Sequence, residues 1–588
     1  MPLDSLSDSG VESQPLTTHR PVVMGTRHLV VAGHYLAAHA GFQILEAGGN
    51  AVDAGVAAGI ALGVLQSDMV NVAGVAPIIL YLADRREVLT ISGLGCWPRA
   101  MSADLFQRDY HGRIPEGLLR TVVPAAPDAW ITALERYGTL SFGEVAAAAI
   151  RFARDGFPMH AFMAGQIQTH IESYRRWPSN AAIYLPNGQP PQPGDIFRQT
   201  DLARTLQYMV DEETQAKNRG REAGLQAARN AFYQGDIAAT IVQFHRENGG
   251  LLTREDLAEF HVGIEPPTHT TFADIDVYAC GPWCQGPVLP QALNLLEGCD
   301  LRALGHNSPQ YIHTVTEALK LAFADRDRYY GDPRFVQVPM QELLSKAYAA
   351  QRRALIRENE AWPEMPPAGD PHNLSAVAAR QGISPEPSRA GSPGLDTSYV
   401  CVVDRHGNVF SATPSDTSAD TPVVPGTGLC PSSRGSQSWA DPNHASCVAP
   451  GKRPRLTPNP ALALRNGRPL LAFGTPGGDV QAQAMLQAFL NITLFGMNPQ
   501  EAVEAPRFAT YSFPDSFEPH SYYPGRLNLE SRIAQETGGA LATLGHKVHW
   551  WPQWVWRAGA VCCLLIDQTT GVLHGGADPR RQSYAVGW

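Results

Sequence analysis

The chain has 588 residues, with 46 Lys and Arg against 56 Asp and Glu, a formal net charge of −10. That acidic balance argues against nucleic acid as the main partner, because phosphate binding needs a basic footprint. Apolar content of 44% with 17% charged residues is that of a soluble globular protein with a large core. Residues 1–18 are polar and acidic, without the cationic start and apolar centre of a secretory signal. The most apolar early run, 51–65, carries Asp53 and is too short to span a bilayer. No membrane association is expected, and the chain reads as cytoplasmic. Its nine cysteines are scattered and odd in number, which favours buried thiols over a zinc site or a disulfide framework.

In chain order, a polar tail over 1–27 precedes a short β-prone run at 28–32. The spacing of Leu36, Ala40 and Ile44, with Leu45 beside them, predicts a helix over 35–47 that ends at Gly48-Gly49. The Ala- and Gly-rich stretch 51–65 predicts a second helix packed closely on its neighbours. Ser141 and Glu144 have the spacing of a capping box, opening a helix that stops at Gly156. Ser308-Pro309 opens another, with Ile312, Val315, Leu319 and Ala322 on one face and Gly331-Asp332-Pro333 past its end. None of these segments is assigned chemistry.

Composition changes after Trp362. Residues 363–396 hold seven prolines, from Pro363 to Pro393, among several glycines. Such a segment cannot easily build a core and is expected to be mobile; on composition alone it reads as an interdomain linker. Beyond it, β-prone runs at 397–403 and 409–413 flank a turn at 404–408, and a hairpin over 461–473 turns at Asn466-Gly467. The hairpin leads into Gly474-Thr475-Pro476-Gly477-Gly478-Asp479 and a helix from about 480 to 490. A last strand is expected at 560–566. The regions are therefore 1–27, 28–362, 363–396 and 397–588.

The common catalytic motifs are missing: there is no Gly-x-Ser-x-Gly elbow, no Lys-Ser/Thr phosphate loop and no His-Glu-x-x-His. A lone histidine such as His444 is more often structural than a ligand. What remains is a hydroxyl residue, Thr397, where a loose segment meets a strand. A threonine there is usually just a β-former.

Gly48-Gly49-Asn50-Ala51-Val52-Asp53-Ala54, Leu252-Thr253-Arg254-Glu255-Asp256-Leu257, Glu317-Ala318-Leu319-Lys320, Pro450-Gly451-Lys452-Arg453-Pro454 and Thr475-Pro476-Gly477-Gly478-Asp479 resemble, in that order, the γ-glutamyltransferases. The likeness covers nearly the whole chain from about Val30. It implies an α+β fold, a four-layer αββα sandwich of the N-terminal-nucleophile (Ntn) class. It also implies a precursor cut into a large and a small subunit that together form the fold. The family's nucleophile segment matches Thr397-Ser398-Tyr399-Val400-Cys401-Val402-Val403-Asp404, placing Thr397 as nucleophile and the cut between Asp396 and Thr397. The cut gives Thr397 an α-amine with an unperturbed pKa of about 7.7–8.0, a base on the same residue as the hydroxyl. The resemblance assigns Gly477 and Gly478 to the oxyanion hole and Ser415 to a hydroxyl supporting the nucleophile.

The parts that hold a γ-glutamyl zwitterion depart from the family. Leu94 or its neighbours stand where the family has an Arg, and Thr417 where it has an Asn. The stretch Ser432-Ser433-Arg434-Gly435-Ser436 replaces a segment carrying an Asp. Leu456-Thr457 replaces a Ser pair, and Asn71-Val72-Ala73-Gly74-Val75 alters a Gly-rich loop. Losing a bidentate Arg and an anionic partner removes strong contacts. Glutathione is therefore expected to be a poor substrate, and a different small-molecule amide is expected, its carboxylate held by Arg434 unless that residue is structural. Leu94, Thr417, Arg434, Ser436 and Thr457 are the candidate substrate-facing positions. No cofactor or metal is expected, and a homo-oligomer remains open. The competing readings are an authentic γ-glutamyl transpeptidase and a catalytically silent binding homologue.

Overall fold

The computed structural model describes residues 18–373 and 397–588. Asp396 and most of the Pro/Gly-rich segment lie outside the described residues, as does 1–17. Among the described residues no helix is long and apolar enough to cross a membrane.

Helix signals in the sequence match helices in the structure. Tyr35–Glu46 and Ala51–Leu65 are joined by Gly48-Gly49. The Asn50 side chain accepts from the Val52 and Asp53 amides at 2.9 and 3.0 Å, while Asp53 accepts from the Asn50 amide at 2.9 Å. Reciprocal capping of this kind satisfies donors that the helix cannot, at about 1 kcal/mol for the cap residue. Every residue of Ala51–Leu65 is buried, and its small side chains let Phe410 lie directly on Gly55. The Ser141–Glu144 box forms at the head of Phe142–Asp155, and Pro309–Tyr329 begins behind Ser308.

Two seven-stranded sheets form the centre. One runs, in spatial order, Val23–Gly25, Leu573–Ala577, Cys562–Ile566, Arg468–Gly474, Ala461–Arg465, Ile275–Ala279 and Thr268–Phe272. The other runs Tyr584–Gly587, Leu29–Ala32, Val400–Val403, Val409–Ala412, Ile78–Leu82, Glu87–Ile91 and Ile264–Glu265. Both therefore draw strands from either side of residues 374–396. Residues placed in the N-terminal tail supply an edge strand, Val23–Gly25, because their backbone finds antiparallel partners in Leu573–Ala577.

Alternation along the strands decides what each face touches. In Val400–Val403, Val400 and Val402 pack with Val30, Leu80 and the buried face of Ala51–Leu65. Cys401 and Val403, with Tyr399 just before them, pack with Leu462, Ala472 and Leu564 of the other sheet. That second sheet buries Val277, Ala463, Leu471 and Phe473 against Val315, Leu319, Met485 and Phe489 of the helices Pro309–Tyr329 and Val480–Thr493.

The predicted strand at 397–403 begins at Val400. Thr397 has φ +122, outside the extended range, and although the Ser398 amide donates to the Pro414 carbonyl at 2.9 Å in register with the ladder, Pro414 has no N–H to complete the pair. At the far end of that strand Asp404 accepts from the Ala51 amide at 2.9 Å, tying the turn 404–408 to the head of the helix Ala51–Leu65.

Candidate active site

Thr397 and Ser415 stand at the start and end of adjacent antiparallel strands, Val400–Val403 and Val409–Ala412, so the ladder brings their side chains together. The Thr397 and Ser415 hydroxyl oxygens are 2.6 Å apart, and both residues are buried. Ser415 is held by paired backbone bonds to Val75, its amide donating at 3.0 Å and its carbonyl accepting at 3.1 Å. The neighbouring Gly74 is required there, because a Cβ on it would lie 2.4 Å from the Ser415 carbonyl oxygen.

The backbone around Thr397 is strained and clamped. Positive φ is costly for a β-branched residue, and Asp416, beside Ser415, is also positive at +136. One carbonyl, that of Met69, accepts both the Thr397 amide at 3.0 Å and the Asp416 amide at 3.1 Å. Arg581 donates to the Thr397 carbonyl at 3.1 Å. Met69 also lines a cleft of about 410 Å³ with Arg120, Tyr174, Phe517, Trp556 and Arg557, so Thr397 lies directly behind the cleft wall. Several charges of the cleft are paired: Arg120 with Asp420 at 3.0 Å, Glu518 with Arg113, and Glu116 with Arg176.

Arg434 is wholly buried. Its Nη2 donates to the Ser415 hydroxyl at 2.7 Å, its Nε lies 3.6 Å from Asp416, and its Cζ is 5.5 Å from the Phe517 ring. Asp416 accepts from the Ser432 hydroxyl at 2.5 Å and from the Ser433 amide and hydroxyl at 3.0 and 2.8 Å. Burial pushes the Asp416 carboxyl above the usual carboxylate range, against the pull of Arg434 and these donors. The changed stretch Ser432-Ser433-Arg434 is thus a self-consistent unit behind Ser415.

Gly477 and Gly478 form the turn between Arg468–Gly474 and Val480–Thr493, with φ of +129 and +57; glycine meets both without penalty. Gly474 packs against the Tyr399 ring, which places this turn at the same end of the paired sheets as Thr397. Gln285 donates to the Gly478 carbonyl at 2.9 Å and to the Thr457 carbonyl at 2.8 Å. Asp479 is paired with Arg326 and accepts from the Ser516 amide and hydroxyl, each at 2.7 Å.

The remaining candidates separate. Thr417 and Ser436 line the cleft. Thr457 is buried, its hydroxyl accepting from Gln437 at 2.8 Å. Leu94 sits in an apolar cluster with Val75, Cys280, Trp283, Cys284 and Leu456. Met69, Asp416, Gln285 and Arg581 were not found from sequence. Asp416 had a signal in its place next to Ser415, whereas Met69 acts through its backbone and leaves none.

The γ-glutamyltranspeptidase family profile matches residues 37–588. The chain belongs to this family. It is 34% identical over 561 residues to the acylase ACY 1 proenzyme of Pseudomonas sp. (strain V22), covering 93% of this chain and 90% of that one. It is 30% identical to the glutathione hydrolase-like YwrD proenzyme of Bacillus subtilis (strain 168), covering 96% and 99%. The crystal structure of a cephalosporin acylase from Bacillus halodurans superposes with a TM-score of 0.84 at 28% identity, covering 99% of both chains. This γ-glutamyltranspeptidase-family protein is accordingly an enzyme, an amidohydrolase of the N-terminal-nucleophile class with a mixed helix-and-sheet fold.

Proposed function

We propose that this chain is a precursor that cuts itself between Asp396 and Thr397 and then hydrolyses a small-molecule amide through an acyl-enzyme on Thr397, with glutathione a poor substrate. The observation that carries the reading is the 2.6 Å contact between the Thr397 and Ser415 hydroxyls directly behind a cleft. The positive φ of Thr397 supports it further. Such a conformation stores about 1–3 kcal/mol, and breaking the preceding peptide bond abolishes that torsion. The proposed pieces, up to 396 and 397–588, share both sheets, consistent with an αββα sandwich built jointly by two subunits.

In the cut form, the α-amine of Thr397 sits beside the Met69 carbonyl and takes the hydroxyl proton directly or through water. Thr397 Oγ1 attacks the amide carbonyl, and the Gly477 and Gly478 amides face the developing oxyanion. The amine then passes the proton to the leaving nitrogen, and water releases the acyl group by the same steps. Leu94, buried among apolar side chains, and Arg434, enclosed behind Ser415, leave the γ-glutamyl zwitterion without its expected grips. Phe517, Trp556 and Tyr174 line the cleft and suit a flatter, less charged acyl group.

Intact-mass analysis of the purified protein beside Thr397→Ala tests the cut: the first is expected as two pieces and the variant as one chain. A panel of glutaryl, phenylacetyl, oxalyl and γ-glutamyl anilides tests the substrate. Efficient turnover of the γ-glutamyl member would overturn the substrate claim, and activity in Thr397→Ala would overturn the mechanism.

A further inference from the structure

We propose that Arg434 is a positioning residue for the nucleophile, acting through Ser415, and not a grip for a substrate carboxylate. The inference rests on the reading of Thr397 given above. A guanidinium can only donate, so the 2.7 Å contact from Arg434 Nη2 occupies one lone pair of the Ser415 oxygen and places positive charge beside it. That makes Ser415 a poor acceptor toward Thr397. The 2.6 Å contact is then made with Ser415 as donor, its single proton aimed at Thr397 Oγ1. The Thr397 proton is left for the α-amine, and the oxygen that becomes nucleophilic already holds a hydrogen bond that strengthens as charge develops on it.

Three observations fix Arg434 in this role. It is wholly buried. The Phe517 ring, which lines the cleft, lies 5.5 Å from its Cζ. Asp416, itself oriented by Ser432 and Ser433, stands 3.6 Å from its Nε. The Asp416 carboxyl lies beside the cation, and the Met69 carbonyl binds the Asp416 and Thr397 amides alike. Guanidinium, serine and nucleophile are therefore built on one backbone clamp.

The test is a double-mutant cycle on self-cleavage, for which the substrate is the chain's own 396–397 bond. Precursors of the natural sequence, Ser415→Ala, Arg434→Gln and the double variant are made by cell-free translation, and cleavage is followed on denaturing gels. Each single change is expected to slow cleavage by about 100-fold, the scale of one lost transition-state donor. The double variant is expected to be no more than about threefold slower than Ser415→Ala, because the two residues act as one unit. Additive losses, or an Arg434→Gln precursor that cleaves at the natural rate, would overturn the proposal. Arg434→Lys keeps the charge beside Asp416 should the glutamine variant misfold. With Arg434→Lys in place of Arg434→Gln in the cycle, the same non-additivity is expected, and additive losses overturn the proposal. If the natural chain is not cut, or Thr397→Ala is, the reading of Thr397 fails first; if those controls hold and the cycle is additive, only this inference fails.

Discussion

Gln285 clamps the turn that carries Gly477 and Gly478, and replacing it isolates that function. Gln285→Met keeps the length and flexibility of the side chain but removes the donors to the Thr457 and Gly478 carbonyls at 2.8 and 2.9 Å. Thr457 and Gln285 are both wholly buried, so no solvent replaces the lost bonds. Neither carbonyl is left bare, because Asn459 still donates to that of Thr457 at 3.0 Å and the Gln481 amide to that of Gly478 at 3.2 Å; each lost bond therefore costs about 0.5–1.5 kcal/mol, together about 1–3 kcal/mol. The lost contact from Arg326 to Gln285 Oε1 is long, at 3.3 Å, and adds little. Unfolding entropy scales to about 1.2 kcal/mol/K for a chain of 588 residues. The midpoint of thermal unfolding should therefore fall by only about 1–2.5 °C. Catalysis is the sharper reporter, since one oxyanion donor is worth about 2.7–4 kcal/mol. Because Asp479 stays pinned by Arg326 and Ser516, the turn should shift without collapsing, lowering kcat about 10- to 1000-fold with KM little changed. Progress curves on the best anilide of the panel, beside differential scanning fluorimetry, measure both. A variant with kcat within twofold of the parent and the expected drop in midpoint would refute the idea that this clamp sets the donor geometry.

Leu94→Arg should not create a γ-glutamyl enzyme. It would bury an unpaired charge among Val75, Trp283 and Leu456, which is strongly destabilising, and the soluble fraction after expression is expected to collapse with no gain in γ-glutamyl anilide turnover. His245 is wholly buried, neither ring nitrogen has a hydrogen-bond partner among the described residues, and burial holds its pKa down to about 4. A depressed histidine loses stability as pH falls from about 6.5, where the unfolded chain begins to take the proton, through the folded value. His245→Leu should flatten that acid limb between pH 7 and 5, as read from unfolding midpoints. Burial, and next the nearby Asp479, push the Asp515 carboxyl far above its ordinary range. Its contribution is therefore present at low pH and lost as pH rises through the raised value. Asp515→Asn, which keeps an acceptor for the Phe517 amide now bonded at 2.8 Å, should be less alkali-sensitive than the parent when midpoints at pH 6 and 9 are compared.

Local elements were legible because their causes are local. The Ser141–Glu144 box, the small-residue packing of Ala51–Leu65 and the turn at Asn466-Gly467 each depend on residues a few positions apart, and each forms where expected. Strand order was not legible, since nothing in Val23–Gly25 announces Leu573–Ala577 as its partner. The site divides in the same way. Thr397, Ser415 and the Gly477-Gly478 turn came from resemblance, and the hydroxyl contact follows from ladder register. The role of Met69 lies in a carbonyl common to every residue type, so no side-chain signal marks it. For Arg434 the sequence leaves both a substrate grip and a structural arginine open; in the structure the guanidinium donates to Ser415, with Asp416 and Phe517 around it, a placement that sequence spacing does not reveal.

The strand Leu29–Ala32 lies between Val400–Val403 and Tyr584–Gly587, which imposes a timetable on biosynthesis. As the chain leaves the ribosome, this early strand waits for Val400–Val403 for its first neighbour and for Tyr584–Gly587, at the very end of synthesis, for its second, so closing the sheet is among the last and slowest events. A scission made before then would yield two fragments with open hydrogen-bonding edges, prone to aggregate. Under the proposed mechanism the cut depends on a register that exists only in the finished sheet, which would make the hydrolase its own quality inspector: a molecule that has not assembled would have no means of switching itself on.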